Sequence, residues 1–372
     1  MTDNKKCLIC QERIASKKNS HIIPSFLIAP IFSYDGSNKR GSEVMVTITP
    51  SEEKVFIGEL PDTKIEKLFD QENLTEERIE SELKINTASK DYIFCPKCES
   101  DLSKYLETPY SNEIRDNKNS DIIPFFFWMS VIWRVSISGQ FGAKLDTSTE
   151  NRLGTSIKAY LNAADNAMEG IEQIISESSF FYRVLRFDGY LTNSPGNIVA
   201  DYDTENKILS VVIGEIVVSA SFAGKEIPES YSFFGAEKYL KNAPINDGTN
   251  KEIISHLDSS LFCEIMKEMV STLAKQKINT EYEIIDSCWQ MVGLSGHMPE
   301  DIFKAYMEIL LDENTKLGDR MTNERRVDVF NKALQSFGFI PKDDKNDLNR
   351  LFYNKLPGKP AGSSGIFIIS VL

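Results

Sequence analysis

Four of the six cysteines in this 372-residue chain fall into two identical spacings, Cys7-Leu-Ile-Cys10 and Cys95-Pro-Lys-Cys98. Two intervening residues let both thiolates of a pair reach one tetrahedral ion at about 2.3 Å, so Cys7, Cys10, Cys95 and Cys98 are predicted to share a structural Zn²⁺. A thioredoxin-like redox dithiol would need a surrounding βαβ pattern, which neither pair has. Between the pairs, "KKNSHIIPSF" at 17–26 carries His21, one of three histidines. Its imidazole has three readings: a packed core residue, a zinc ligand or a general base. Glu99 follows Cys98 directly. It is either a helix-capping acid or an oxygen ligand for a hard divalent ion.

These residues need elements to hold them. The first cysteine pair is predicted to sit in a tight knuckle, and His21 in a short strand. The second pair opens a helix: Pro96 suits a first turn, and Leu102, Tyr105 and Leu106 follow at helical spacing. The segment between the pairs is long. "EVMVTITPSEEKVFIGEL" at 43–60 reads as a β-hairpin, and "DTKIEKLFDQENLTEERIESELK" at 62–84 as an acidic helix.

The knuckle, the histidine strand and the cysteine-opened helix come in the order of the HNH, or ββα-metal, nuclease motif, and "CLIC", "SHIIP" and "FCPKCE" resemble a zinc-supported member of it. They are more similar still to a group of bacterial proteins of like length that have Ser before the His, Glu after the last Cys and a later apolar helix ending in Trp-Arg. Here that helix is "MSVIWR" at 129–134. The resemblance implies a treble-clef zinc module, His21 as general base and Glu99 as a ligand of a catalytic Mg²⁺ or Mn²⁺. It also implies a nucleic-acid substrate, DNA ahead of RNA, and, by analogy, a place in bacterial defence. Ser20 departs from the motif, standing where an Asp or Glu commonly holds the ion. Asp101 and Asp91 are the acids nearest in sequence to fill that gap.

The rest of the chain is expected to form a separate body. Residues 108–121 are polar and turn-rich and read as a boundary, while 122–142 is apolar on nearly every face and reads as a central buried helix. Its apolar run is too short to cross a bilayer and stops at Arg134, which should pair with a carboxylate. Residues 147–185 read as helical, 197–222 as antiparallel strands and 250–356 as helical again. A Gly-rich loop with no P-loop pattern then precedes a terminal strand at 365–372. Cys263 and Cys288 are expected in the core, His256 on a helix and His297 in a loop.

The expected fold class is therefore α+β. Residues 1–110 form a zinc-binding, HNH-like module with an inserted hairpin and helix, and 111–372 form a mainly helical domain holding a small antiparallel sheet near 197–222 and 365–372. The start of the chain lacks the apolar core of a signal peptide, which points to the cytoplasm and away from membranes. A net charge of −13 excludes a general nucleic-acid-coating protein but not an enzyme meeting nucleic acid over a small patch. Lys5, Lys6, Arg13, Lys17 and Lys18 would supply such a patch. A homo-oligomer is compatible with the sequence. The rival to a metal-dependent endonuclease is a non-catalytic zinc protein whose helical body binds a partner or ligand.

Overall fold

The computed structural model describes residues 5–32, 44–48, 53–57, 88–116, 118, 120–164, 168–192, 196–317, 323–339 and 365–368. The chain is a mixed α+β protein with a cysteine cluster near its N-terminus. The acidic segment at 62–84 and the Gly-rich loop lie outside the described residues.

A knuckle comes first. Cys7 N–H donates to the Arg13 carbonyl (2.8 Å) and Gln11 N–H to the Cys7 carbonyl (2.9 Å), while Lys6 bridges Ile14. Next are β1 (Ser20–His21) and α1 (Ser25–Phe32). β2 (Val44–Ile48) and β3 (Glu53–Ile57) form the expected hairpin, with Val46 opposite Val55. β4 (Ser89–Lys90) returns to pair antiparallel with β1, placing His21 opposite Ser89. Then α2 (Pro96–Leu102) starts at the second cysteine pair. Pro96 takes the first turn, where its missing N–H costs no hydrogen bond, and Cys95 caps the end, its sulfur accepting from Cys98 N–H (3.5 Å). One turn of π-helix, Ser103–Glu107, continues it into α3 (Thr108–Asp116). Most of the polar stretch read as a boundary, Thr108–Asp116, is therefore helical. Tyr110 alone among the residues of this helix is buried, so it presents little apolar surface for a sequence pattern to reveal.

The helix α4 (Ile122–Ser138) is the centre of the body, and the expectation of burial holds along nearly its whole length. Asp121 caps its start, and Gly139 in the left-handed region (φ 62°) ends it. α5 (Thr147–Ala164) and α6 (Ile171–Ser178) follow. Gly154 on α5 lies against the Trp133 ring, where a Cβ would stand 3.2 Å from the indole.

The strands β5 (Phe181–Asp188), β6 (Asn197–Asp203), β7 (Ile208–Ile213), β8 (Ile216–Ser221), β9 (Ile254–Asp258) and β10 (Gly365–Ile368) join the hairpin in one eight-stranded sheet ordered β3-β2-β10-β6-β7-β8-β5-β9. All neighbours are antiparallel except β5 and β9. The terminal strand pairs with both β2 and β6, which links the N-terminal hairpin to the strands of the body. Alternate residues serve two layers. Tyr182, Val184, Ile198, Val211 and Val218 share a core with α4 and the knuckle, whereas Leu185, Phe187, Val199, Val212 and Val217 pack with Leu240 and with Phe262 and Ile265. Leu240 lies on α7 (Glu237–Leu240), and the last two residues on α8 (Ser259–Met291). A third cluster, around Trp289, Tyr306 and Phe330, joins α8 to α9 (Glu300–Leu317) and α10 (Asn323–Ser336).

Three expectations are corrected here. Residues 181–188 form β5 rather than continuing a helix: Ser179 turns into the left-handed region (φ 48°) and stops α6. His256 lies on β9, not on a helix, because parallel pairing with β5 extends the chain up to Asp258, whose carboxylate caps α8. Cys263 is exposed. The buried stripe of α8 runs through Phe262, Ile265, Met269 and Leu273, and the next residue after Phe262 is turned off it.

A buried carboxylate ties these parts together. Glu252 accepts from Tyr110 OH (3.0 Å), Trp128 Nε1 (3.0 Å) and Tyr182 OH (3.1 Å), joining α3, α4 and β5. Burial pushes its carboxyl up to about 7, although these three donors oppose the shift and Glu113 adds to it. The folded chain thus holds the proton more tightly than the unfolded chain, where a glutamate titrates near about 4.3. The resulting stabilisation is complete below about pH 4 and is lost as pH rises to about 7, a change on the order of 3 kcal/mol. Thermal melts should therefore show Glu252→Gln, which cannot ionise, gaining on the wild type between pH 5 and 7.5. A difference in melting temperature that stays flat over that range would refute this titration.

Candidate metal centre and the adjoining acid cluster

The Sγ atoms of Cys7, Cys10, Cys95 and Cys98 lie within 4.8 Å of one another, and all four residues are buried. A tetrahedral ion with sulfur bonds of about 2.3 Å would hold them about 3.8 Å apart, so this thiol set fits a metal such as zinc. Backbone bonds assemble it. Leu8 N–H donates to the Ile93 carbonyl (2.9 Å), Lys17 N–H to the Phe94 carbonyl (3.1 Å) and Tyr92 N–H to the Lys17 carbonyl (2.8 Å). Phe94 in turn stacks on Trp133 (ring centroids 5.9 Å apart), fixing the second pair against α4.

Arg13, expected in a basic patch for nucleic acid, instead turns its guanidinium to the sulfurs, and Lys158, which the sequence did not mark, joins it. Arg13 Nε donates to Cys95 Sγ (3.2 Å) and Nη2 to Cys98 Sγ (3.6 Å), while Lys158 Nζ on α5 donates to the Cys10 carbonyl (2.9 Å). The Arg13 guanidinium and the backbone N–H groups of Arg13 and Cys98, directed at sulfur, offset the negative charge of four thiolates. A hydrogen bond from Cys98 holds Cys7 well below the usual thiol range, and the same bond raises Cys98. The signal for Arg13 as a partner of the thiolates was its place three residues after Cys10.

The cysteine cluster sets β1 beside the start of α2. Ser20 is fully buried and its hydroxyl favours the ionised form of Glu99, yet Ser20 Oγ and Glu99 Oε2 have no aligned hydrogen-bond partner. Burial pushes the Glu99 carboxyl up; Ser20 and Arg134 oppose the shift, Glu107 adds to it and Lys17 opposes it. Arg134 is buried, as expected of a cation inside α4, and its carboxylate is Glu107: Nη1 donates to Glu107 Oε1 (2.7 Å) and to the His21 backbone carbonyl (3.0 Å). Nε and Nη2 donate to the Ser130 carbonyl and hydroxyl. His21 itself is half-buried on β1.

The two acids nearest in sequence have other partners. Asp91 accepts from Asn19 N–H (2.7 Å), and Asp101 pairs with Lys97 (2.8 Å). The acid whose charge acts on Glu99 is Glu107, bonded to the same Arg134 that holds the His21 carbonyl, and no spacing in the sequence marked it. The other histidines pair with carboxylates far from the cluster in sequence: His256 Nδ1 with Asp188 (2.7 Å) and His297 Nδ1 with Asp286 (2.9 Å). Among the described residues, the four cysteines are the one group of three or more His, Cys, Asp or Glu gathered closely enough to share an ion.

No known family model, curated protein or solved structure matches the chain.

Metal analysis of the purified protein should return one zinc per chain, and Cys95→Ser should lose it along with the fold of the N-terminal segment. Arg13→Ala should keep four thiolates but weaken zinc retention against a chelator by about 10- to 100-fold. Metal-free wild-type protein with intact structure would refute the assignment.

Proposed function

We propose that the N-terminal segment is an HNH-like, ββα-metal endonuclease centre built on a treble-clef zinc site, and that the protein cleaves nucleic-acid phosphodiester bonds, DNA ahead of RNA. One observation carries this reading. The cysteine cluster folds residues 7–21 onto 89–99, so that Ser20, just before His21, faces Glu99, just after Cys98. Two segments distant in sequence thereby place an imidazole-bearing strand beside an acid at the head of a helix.

Ser20 Oγ and Glu99 Oε2 are buried oxygens without aligned partners, and such donors suit a hard cation that keeps most of its own waters. Glu99 would hold Mg²⁺ or Mn²⁺ there, with Ser20 beside it. The bound ion supplies electrostatic stabilisation of the phosphate and the leaving oxygen. The chain's own groups do the rest. The neutral His21 imidazole accepts the proton of the attacking water, and Arg134 holds the His21 backbone to α4. Lys17 and Lys18 are exposed on the same segment. Lys18 lies over the ring of Tyr92 (5.9 Å), an exposed aromatic residue in the left-handed region (φ 58°), a pairing of charge and π-face suited to a nucleic-acid strand.

The gathering of cysteines alone, with no His, Asp and Glu trio beside them among the described residues, favours a second reading: a zinc protein without catalysis whose body binds a partner.

Zinc-loaded protein should nick plasmid DNA when Mg²⁺ or Mn²⁺ is added and not without them, and His21→Ala should lower the rate about 10²- to 10⁴-fold with its circular dichroism spectrum unchanged. Failure to cut DNA or RNA with either ion would leave the second reading.

A further inference from the structure

The π turn between α2 and α3 is the least explained feature of the N-terminal segment. Thr108 N–H donates to the Ser103 carbonyl, five residues back, where an α-helix would use four. Such insertions are rare and concentrate at functional sites. Residues eight apart on a straight α-helix stand about 80° apart around the axis, which would leave Glu107 turned away from Glu99. The wider turn removes most of that difference and brings the two toward one face of the continuous helix. Ser20, on β1, is fully buried, and its Oγ has no aligned partner.

We propose that Glu107 is the second carboxylate of a divalent-cation site made with Glu99 and Ser20 Oγ, supplying the acid that the position of Ser20 lacks. The proposal deepens the nuclease reading and rests on it for the choice of ion. Only Oε1 of Glu107 is bonded to Arg134, and a ligating carboxylate is ordinarily hydrogen-bonded by a second group in this way. Arg134 thus orients Glu107 and, through the His21 carbonyl, holds the strand that carries Ser20. Two carboxylates, a hydroxyl and water make an all-oxygen set suited to Mn²⁺ or Mg²⁺, chemically distinct from the thiolate centre nearby.

The test is titration of the full-length, zinc-loaded protein with Mn²⁺ alone, followed by calorimetry and by the loss of the free-ion electron paramagnetic resonance signal. One Mn²⁺ should bind in addition to zinc. Glu107→Gln and Glu99→Gln should each weaken it tenfold or more, and Asp101→Asn, on the Lys97 side of α2, should leave it unchanged. Should Glu107→Gln fail to fold, Glu107→Asp keeps the charge opposite Arg134 while withdrawing the carboxylate, and a severalfold loss is expected. Absence of a second ion, or Mn²⁺ affinity equal to wild type in a folded Glu107 variant, overturns the proposal. Mn²⁺ bound as described by a protein that cuts no nucleic acid supports the site and removes the nuclease reading. Cleavage by a protein whose Mn²⁺ affinity ignores Glu107 does the reverse.

Discussion

Closure of four thiols around a single point is the constraint on which the N-terminal half depends. Arg13 and Cys95 are 82 residues apart in sequence yet meet at 3.2 Å. The strands that this contact brings together, β1 and β4, are two residues long, far too short to hold one another unaided. Loop-closure entropy grows only slowly with length, so one strong cluster can close a long intervening segment at modest extra cost. Everything else in the region follows from that closure: the pairing of His21 with Ser89, the approach of Ser20 to Glu99, and the stacking of Phe94 on Trp133. The Arg13 guanidinium directed at the sulfurs stabilises the same closure, because concentrated negative charge would otherwise drive the two pairs apart.

The second organising element is α4. A helix that is apolar all round must be enclosed, and here the other elements form its enclosure: the knuckle at one side, α5 at another, and one face of the sheet beneath. A single cation, Arg134, interrupts this surface. Charge in such a place is tolerated only with a complete set of partners, and Arg134 has them: two carbonyls, a hydroxyl and a carboxylate. Three of the four bind it to its own helix or to the acid that ends the π turn. The fourth reaches across to β1. The residue that the core can least spare is thus also the one that joins the core to the candidate site.

No helix among the described residues is long and apolar enough to cross a membrane. The buried apolar residues among those described are instead divided among three clusters, two on opposite faces of the sheet and one among the last helices.

What could be read from the sequence was whatever depends on local spacing. Two cysteines three apart define half a metal site wherever they fall, and Pro96 marks a helix start because its ring is compatible only with the first turn. The enclosure of α4 could likewise be read from a continuous apolar run, and the β2–β3 hairpin from its alternation. Position in space could not. Alternation does not reveal that the terminal strand inserts between β2 and β6, that β9 lies parallel to β5, or that Cys263 faces outward from a helix whose neighbours are buried. Nor could spacing show Arg13 against the sulfurs or Glu107 against Arg134. Those partnerships depend on closure of the chain and on one extra residue in a helical turn. Each is a long-range or cumulative rotation that no short stretch of residues encodes.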